Sequence, residues 1–486
     1  MRFATAGTVS LCVFLAACGG SGGSTPATQP PTPTPGPLLG SEGPANPSFE
    51  LPVPSLAQGD DWTTYAHDTY RTGFEAAPTG ATQENVSKMA LQWTFKSPYE
   101  FLASPIVSAG TVYVVDINGN LTALDAKAGT VKWQRQLGYS VAMTPSIYDG
   151  VLFVGTHNAP TSQLTALDPL TGNILWQQSV PGGLQGSPLA VNGTLYVGIG
   201  LGDPGLCRPG GLFTFAEHTG APGPYWLTES PADQDDGGGV WGPISYDGSR
   251  IVYGTGNTCQ NAPKLANAVV AVSPDLATLW SYQTSPALND DDVGGGVMVL
   301  GKNGYVIGKT GFLYAFDLPT GIALWKTNLG AIDGYGGHAT PSYTEGTLIV
   351  SGGYPVPATG APGQVPTGTL YGLGQNGGVK WKIMAHYPPA SSYVATTPDL
   401  AFAELDNSIQ ALEPSSGKTL WSYTTVGDFS GGPAITQSGL FAADLSGTVY
   451  AFGISSSSSS SQRRGQTGAI RGFSKYKPTM PPYCKV

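Results

Sequence analysis

The feature that most constrains this chain is a repeat that ends in tryptophan. The stretch LTALDAKAGTVKW ends at Trp133, and related stretches end at Trp176, Trp325 and Trp421. Their shared frame is A-x-D-x-x-x-G-x-x-x-W, preceded by an alternating apolar run and a glycine turn. A small residue, a tight turn and a large indole at fixed offsets are typical of two antiparallel strands whose indole packs on the neighbouring copy.

The number of copies predicts a closed ring. Looser copies end at Trp226, Trp280 and Trp381, while the last copy stops at Gly453 without its tryptophan, which Trp93 supplies from the other end of the repeat region. The mean spacing of about 47 residues is typical of four-stranded propeller blades. A blade shared by both ends hides the sheet edges. We therefore predict an all-β fold, an eight-bladed β-propeller with four-stranded blades.

The first residues, MRFATAGTVSLCVFLAACGG, combine Arg2, an apolar stretch from Val9 to Ala17, and a cysteine among small residues. This pattern is typical of a secretory signal. It also resembles the bacterial lipoprotein signal, which implies a signal peptide and lipobox over 1–18 and a lipid on Cys18. An ordinary signal peptide that contains a cysteine is the alternative. Export to the cell envelope is expected, with a lipid anchor in the periplasm; Gly19 favours the outer membrane of a Gram-negative cell.

Composition divides the rest of the chain into three parts. Residues 19–58 are rich in Pro, Gly and Thr and read as a solvated tether. The propeller is predicted over 59–454, followed by a serine-rich, basic tail over 455–486 that we interpret as disordered or, alternatively, as a membrane-surface or partner-binding arm. Because the tail is basic, the propeller is more acidic than the net charge of −10 indicates. That charge argues against nucleic acid as a partner.

The cysteines limit the redox chemistry. No C-x-x-C-H occurs, so covalent c-type haem is not expected. An exported location permits a disulfide. Cys207 and Cys259 are the candidate pair, because each follows the second strand of successive repeats.

The repeat resembles that of the pyrroloquinoline quinone (PQQ) type propellers over residues 60–453, and the leading segment DDWTTYAHDTYRTGF resembles the start of the same superfamily. The resemblance implies the fold more strongly than the activity. Quinoprotein dehydrogenases use this frame, and so do scaffolds such as the lipoprotein of the outer-membrane β-barrel assembly machine.

Two motifs resemble the quinone and calcium sites of PQQ dehydrogenases. GGGVWGPISYD contains Trp241, at the place of the tryptophan that lies flat under the quinone; an indole face suits a planar cofactor. GTGN contains Asn257, at the place of a calcium-ligating asparagine, and Asp203 is the second oxygen donor implied. Calcium takes six to eight oxygens. The alternatives are one more core tryptophan for Trp241 and a turn residue for Asn257.

A third motif supplies a cation. GKTGFLYAFD matches a K-x-G-x-x-Y-x-x-D stretch in which the lysine hydrogen-bonds the quinone oxygens, which implies a catalytic and cofactor-binding role for Lys309. An ammonium there would stabilise negative charge on the reduced cofactor. Arg208 is the implied partner of the cofactor carboxylates. The alternative for Lys309 is an exposed lysine at a strand end.

The general base is missing from its expected place. Alcohol-oxidising relatives carry an aspartate in a G-D-N segment after the asparagine loop, where this chain has Asn261 or Asn267, and an amide cannot accept the alcohol proton. The vicinal cysteine pair of several relatives is also absent. His157 is either a replacement base or a solvated loop residue. The run Asp290 to Asp292 resembles an acidic segment of quinoprotein dehydrogenases and is alternatively a solvated loop.

These motifs lead to three hypotheses for function. The first is a PQQ- and calcium-dependent dehydrogenase that oxidises an alcohol or sugar and passes electrons to a separate acceptor, most similar to polyvinyl-alcohol-dehydrogenase-like quinoproteins. The second is a non-catalytic scaffold lipoprotein that binds envelope proteins. The third is a degenerate quinoprotein that binds PQQ without turnover.

Overall fold

A computed structural model describes residues 61–138, 141, 143–157, 161–200, 210–228, 237–258, 264–330, 339–352, 368–385 and 393–455, all within the unit Leu51–Val486. They form one short 3-10 helix, Val86–Lys88, and eight four-stranded antiparallel sheets. The sheets are the blades of one propeller ring, which confirms the predicted fold. In this described part, no helix has the length and apolarity needed to cross a membrane.

Each blade runs from an inner to an outer strand. Blade 1 contains β2 (Ile106–Ser108), β3 (Thr111–Val115), β4 (Asn120–Asp125) and β5 (Val131–Gln136); blade 2 contains β6 (Ser146–Tyr148), β7 (Val151–Gly155), β8 (Thr161–Leu167) and β9 (Ile174–Pro181). Blade 3 contains β10 (Leu189–Val191), β11 (Thr194–Ile199), β12 (Gly211–Ala216) and β13 (Pro222–Leu227); blade 4 contains β14 (Ser245–Tyr246), β15 (Ile251–Gly254), β16 (Ala268–Val272) and β17 (Thr278–Gln283).

The second half of the ring repeats the pattern. Blade 5 contains β18 (Met298–Leu300), β19 (Asn303–Ile307), β20 (Phe312–Asp317) and β21 (Ile322–Asn328); blade 6 contains β22 (Ser342–Thr344), β23 (Thr347–Gly352), β24 (Gly368–Leu373) and β25 (Val379–Ala385). Blade 7 contains β26 (Ala395–Thr396), β27 (Ala401–Leu405), β28 (Ser408–Leu412) and β29 (Thr419–Thr424); blade 8 contains β30 (Ala434–Thr436), β31 (Gly439–Ala443), β32 (Thr448–Ile454) and β1 (Met89–Lys96).

Blade 8 closes the ring with strands from both ends of the repeat region. The outer strand β1 pairs antiparallel with β32, from Met89 opposite Ile454 to Lys96 opposite Thr448. Strand β1 carries Trp93, the tryptophan that the last repeat lacks. The prediction of a shared blade is confirmed, and its physical effect is that backbone hydrogen bonds hold the first strand to the last.

The repeat tryptophans join each blade to the next. Every one of the eight indole N–H groups donates to the following blade, at 2.7–3.0 Å. Seven of the acceptors are backbone oxygens, and the exception is Trp226, which donates to the Thr278 hydroxyl. Trp421 donates to the Met89 oxygen, so the series continues across the closure. The tryptophans are therefore links between blades.

The glycine of the frame is required by the same contact. In six blades it has a positive φ and lies against the indole of the preceding blade, where an added Cβ would lie 2.5–2.7 Å from the nearest ring atom. Glycine alone tolerates both conditions. In blade 4 this turn contains Leu276 at φ 68°, and here Trp226 uses the threonine hydroxyl instead. The glycine and the tryptophan of the frame thus form the contact between neighbouring blades.

The leading segment, residues 62–75, crosses the ring and bonds to its inner strands. Trp62 pairs with Val107 of blade 1, and the backbone oxygens of Thr63, Thr69, Tyr70 and Gly73 accept N–H groups from blades 2, 4, 5 and 7. One segment therefore contacts inner strands from five of the eight blades. The sequence resemblance placed this segment at the start of the fold but did not reveal these contacts.

Charged side chains of this segment are buried inside the ring. Arg71 is fully buried and donates to the Ile244 oxygen at 2.8 Å, the Tyr65 oxygen at 2.9 Å and the Thr64 hydroxyl at 2.7 Å. His67 lies 3.4 Å from the carboxylate of Glu75. Burial alone would lower the pKa of His67, but the carboxylates of Asp68 and Glu75 outweigh it and raise that pKa to about 9.

The contact between glycine and tryptophan can be measured with a matched pair of variants. Gly321 and Gly346 both have φ +71°, but only at Gly321 would a Cβ contact an indole, that of Trp280. We expect Gly346→Ala to cost about 1–2 kcal/mol through backbone strain. Gly321→Ala should cost about 1–3 kcal/mol more because the indole must move. Denaturant unfolding of both variants gives the difference, and equal costs would contradict the proposed role of the frame glycine.

The buried histidine predicts a pH dependence of stability. A folded pKa of about 9 against a usual value of 6.5 means that protonated His67 stabilises the fold fully below about pH 6.5, and that this contribution is lost as pH rises through about 9. The loss amounts to about 3 kcal/mol at most. Unfolding free energies between pH 6 and 9 should fall for the wild type and for His218→Gln, an exposed control. They should change much less for His67→Gln.

Candidate functional site

Four side chains of the candidate site lie at one edge of two adjacent blades. Trp241 precedes the first strand of blade 4 and Asn257 follows the second; Asp292 precedes the first strand of blade 5 and Lys309 follows the second. Because successive strands of a blade are antiparallel, the start of the first strand and the end of the second lie at the same edge. The fold therefore brings these positions to one face of the ring.

The Trp241 side chain packs against the backbone of three glycines. A Cβ on Gly294 would be 1.9 Å from the indole ring, and one on Gly200 would be 2.7 Å from the Trp241 Cβ. A Cβ on Gly256 would be 3.2 Å from the indole nitrogen. The side chain is half-buried, and it lies outside the series of eight indoles that join the blades. These contacts show how glycines let this tryptophan lie close against the backbone.

Lys309 is held by two carboxylates. Its Nζ lies 2.8 Å from Asp292 Oδ2, pairs also with Asp290, and stands over the Trp241 ring at 6.0 Å from the centroid. The side chain is only 12% exposed. The alternative of an exposed strand-end lysine is therefore wrong. Burial would lower the pKa of Lys309, but Asp292 and Asp290 outweigh that effect and raise it, so the ammonium stays charged.

Asn257 reaches the same carboxylate through its backbone. Its N–H donates to Asp292 Oδ1 at 2.6 Å, while Asp292 Oδ2 faces Lys309. Trp241, Asn257 and Lys309 are thus brought together around Asp292. Their roles toward a cofactor or metal stay predictions.

Asp292 belongs to the acidic run that resembles a segment of quinoprotein dehydrogenases, but the sequence motifs assign it no individual role. It is buried, so the alternative of a solvated loop is wrong for this member of the run. Burial raises the pKa of the Asp292 carboxyl, Lys309 opposes the rise, and Asp290 adds to it. A carboxylate with a raised pKa is a better proton acceptor than an exposed one. The available signal was its place in the acidic run just before the glycines and the apolar inner strand of blade 5.

Asn267, near the place of the missing base, and His157, the suggested replacement base, have different surroundings. Asn267 is buried and donates its side-chain N–H groups to backbone oxygens, so it serves structure rather than proton transfer. His157 is also buried, which excludes the solvated alternative. Its ring lies against Gly183, where a Cβ would come within 2.3 Å, and Gly183 pairs with Gly200 beside Trp241.

Several predicted residues lie outside the described part of the chain. These are Asp203, Arg208, Asn261, the lipidation site Cys18, and the cysteines Cys207 and Cys259. Among the described residues, no group of three or more His, Cys, Asp or Glu side chains is placed to hold a metal ion. Calcium takes six to eight oxygens, so a shell that includes Asn257 needs further donors.

Architecture and site together define the class: an eight-bladed propeller of the PQQ-repeat type, with a polar cluster at one face. The family model PQQ_2, described as outer membrane protein assembly factor BamB, matches residues 85–203 and 266–457. These ranges make up more than half of the chain, and the chain belongs to this family.

Two relatives show the range of proteins that share the repeat. Quinohemoprotein alcohol dehydrogenase ADH-IIG of Pseudomonas putida is 25% identical over 240 residues, covering 44% of this chain and 30% of the relative. Outer membrane protein assembly factor BamB of Salmonella typhimurium is 51% identical over 35 residues, covering 7% of this chain and 9% of the relative. The chain thus matches less than a third of the length of either.

Solved structures show the same fold. Quinohemoprotein alcohol dehydrogenase from Comamonas testosteroni aligns with a TM-score of 0.71 and 17% identity, over 82% of this chain and 81% of the other. A europium-containing methanol dehydrogenase aligns with a TM-score of 0.67 and 17% identity, over 81% of this chain and 98% of the other. BamB from Moraxella catarrhalis aligns with a TM-score of 0.55 and 15% identity, over 76% of this chain and 98% of the other.

Proposed function

We propose that the protein is a PQQ-dependent oxidoreductase that oxidises the hydroxyl group of an alcohol or sugar. The observation that carries this proposal is the convergence of an indole, a lysine ammonium and a buried carboxylate from two blades. The family and the alcohol dehydrogenases among its relatives support it.

The described residues fit a planar, anionic quinone. The half-buried indole of Trp241 offers a flat face, and Lys309, over that ring, offers an ammonium to oxygen atoms at the quinone edge. Asn257, with Asp203 as a second donor, would supply oxygens to a calcium ion, and Arg208 would bind cofactor carboxylates. PQQ, when bound, would supply an acceptor for the hydride, with its two electrons, that leaves the carbinol carbon.

Asp292 is the proton acceptor in this proposal. Its raised pKa and its place beside Lys309 let it take the hydroxyl proton of the alcohol, which leaves as an aldehyde or ketone. Lys309 holds the Asp292 carboxylate at a fixed position through the 2.8 Å contact. Electrons then pass to a separate acceptor.

The proposal is tested by reconstitution with PQQ and calcium. The purified protein should gain quinone absorbance and a higher melting temperature, and it should reduce a dye with alcohols or sugars. Trp241→Ala and Lys309→Met should weaken PQQ binding at least about tenfold, because each removes a cofactor contact. Lys302→Met is the matched control, since Lys302 is exposed in the same blade and pairs only with Asp317 in the described structure.

Asp292→Asn separates binding from turnover in the same experiment. PQQ binding should persist, whereas kcat should fall by about 10²–10⁴. In the wild type, activity should decline as pH falls through the raised pKa of Asp292, because only the carboxylate accepts a proton. Absence of PQQ binding by the wild type would refute the proposal; binding without turnover would support the degenerate quinoprotein.

A non-catalytic scaffold for envelope proteins is the second candidate. It is favoured by the BamB description of the family and by the short segment that is 51% identical to BamB. This function requires no particular side chain at Trp241 or Lys309.

We also propose that the protein is exported and lipid-anchored through Cys18, with the outer membrane as its location in a Gram-negative cell. The signal-like start of the sequence supports this. Expression of Cys18→Ser should move the protein from the membrane fraction to the soluble envelope fraction or block its processing. Unchanged fractionation and mass would contradict lipidation.

A further inference from the structure

Asn267 is a buried residue with an unusual backbone and a specific pair of partners. It has φ 47° and lies just before β16. Its side-chain Nδ2 donates to the backbone oxygens of Pro286 and Asn289, at 2.8 Å each. Only a group with two N–H donors satisfies two carbonyl oxygens, so the amide orientation is determined by its partners.

The backbone of Asn267 bonds to both halves of the candidate site. Its N–H donates to the Gly256 oxygen at 3.0 Å, next to Asn257. Its own oxygen accepts the N–H of Thr284 at 2.8 Å and the Thr284 hydroxyl at 2.7 Å. Thr284 begins the acid loop, which we define as residues 284–292. Asn267 therefore connects the Asn257 segment to the loop that carries Asp290 and Asp292.

Other hydrogen bonds hold the acid loop within its own turn and at its end: the Asn289 side chain donates to Asp291 Oδ2 at 3.1 Å, and the Lys309 N–H donates to the Asp292 oxygen at 2.9 Å. Thr258 N–H donates to the Ala287 oxygen at 2.9 Å, and Asn257 N–H reaches Asp292 at the end of the loop. The Asn267 side chain holds Asn289, the residue directly before Asp290. Loss of that side chain removes the two hydrogen bonds that hold Pro286 and Asn289, and with them the attachment of the turn directly before the two aspartates.

We infer that Asn267 is a positioning residue, which sets Asp290 and Asp292 against Lys309 through its two side-chain hydrogen bonds. We call these two hydrogen bonds, from Asn267 Nδ2 to the oxygens of Pro286 and Asn289, the clamp. The effect of the clamp on catalysis rests on the proposed function, whereas the existence of the clamp does not. An ionised carboxylate at this position would face two carbonyl oxygens and repel both; a protonated one would donate a single hydrogen bond. Asn267→Asp therefore converts the clamp into one that opens as pH rises.

Hydrogen–deuterium exchange on the cofactor-free, full-length protein tests the clamp. Peptides covering 284–292 should exchange at least about tenfold faster in Asn267→Asp than in the wild type, after correction for intrinsic rates, and the excess should grow from pH 5 to pH 8. Asn407→Asp, in an exposed turn of blade 7, is the matched control and should leave these peptides unchanged. Unchanged exchange in Asn267→Asp would overturn the inference.

A second variant guards against misfolding. Asn267→Gly retains the positive φ and deletes both side-chain hydrogen bonds, so its exchange should rise without the added pH dependence. If Asn267→Asp does not fold, Asn267→Gly alone tests the clamp, and faster exchange in the acid loop would support it. Normal exchange in a folded Asn267→Gly would refute it.

The catalytic consequence is read from activity with PQQ, calcium and an alcohol. In Asn267→Asp the pH profile of kcat should gain a loss at high pH that the wild type and Asn407→Asp lack. Faster exchange together with an unchanged profile would overturn the positioning role. Faster exchange in a protein whose wild type binds no PQQ would leave the clamp standing and reject the proposed function instead.

Discussion

The fold depends on one contact repeated around the ring: an indole N–H of one blade donates to the next blade while its ring rests on a turn. Each four-stranded sheet has two faces to cover and cannot do so alone, so its stability comes from its neighbours. In six blades the turn carries a glycine that fits under the indole. Because Trp421 donates to Met89 and Trp93 donates to Ala126, the series of links continues through the blade that closes the ring.

Ring closure also explains why the candidate site belongs to two blades. Each blade brings the start of its first strand and the end of its second to one edge, and adjacent blades place those edges side by side. Trp241 and Asn257 come from blade 4, and Asp292 and Lys309 come from blade 5. The Asn257 contact with Asp292 and the Lys309 contact with the Trp241 ring therefore cross the interface between blades 4 and 5, whereas the ion pair of Lys309 with Asp292 lies within blade 5.

The sequence predicted those parts of the structure that depend on residues close together in the chain. The tryptophan frame was sufficient for the number of blades, and Trp241 was recognisable because it falls outside that frame. Lys309 was identified by a local motif. Asp292 was not, because its importance arises from burial beside a residue of the next loop, and three consecutive aspartates usually indicate a solvated loop. Likewise, nothing in the sequence near Arg71 shows that carbonyl groups from distant blades will surround it.

The charges at the site are difficult to explain by stability alone. Taking Asp292 and Lys309 out of water costs free energy that their mutual attraction repays only in part, and a well-packed apolar pair is often as stable or more so. Here Lys309 faces two carboxylates, so the cluster retains a net negative charge beside the half-buried indole of Trp241. Such a surplus is poorly suited to a packing interface, where charged residues are usually depleted. A net negative charge is well suited to a site that receives a proton and a cation. The charged cluster therefore favours a catalytic or binding role over a purely structural one.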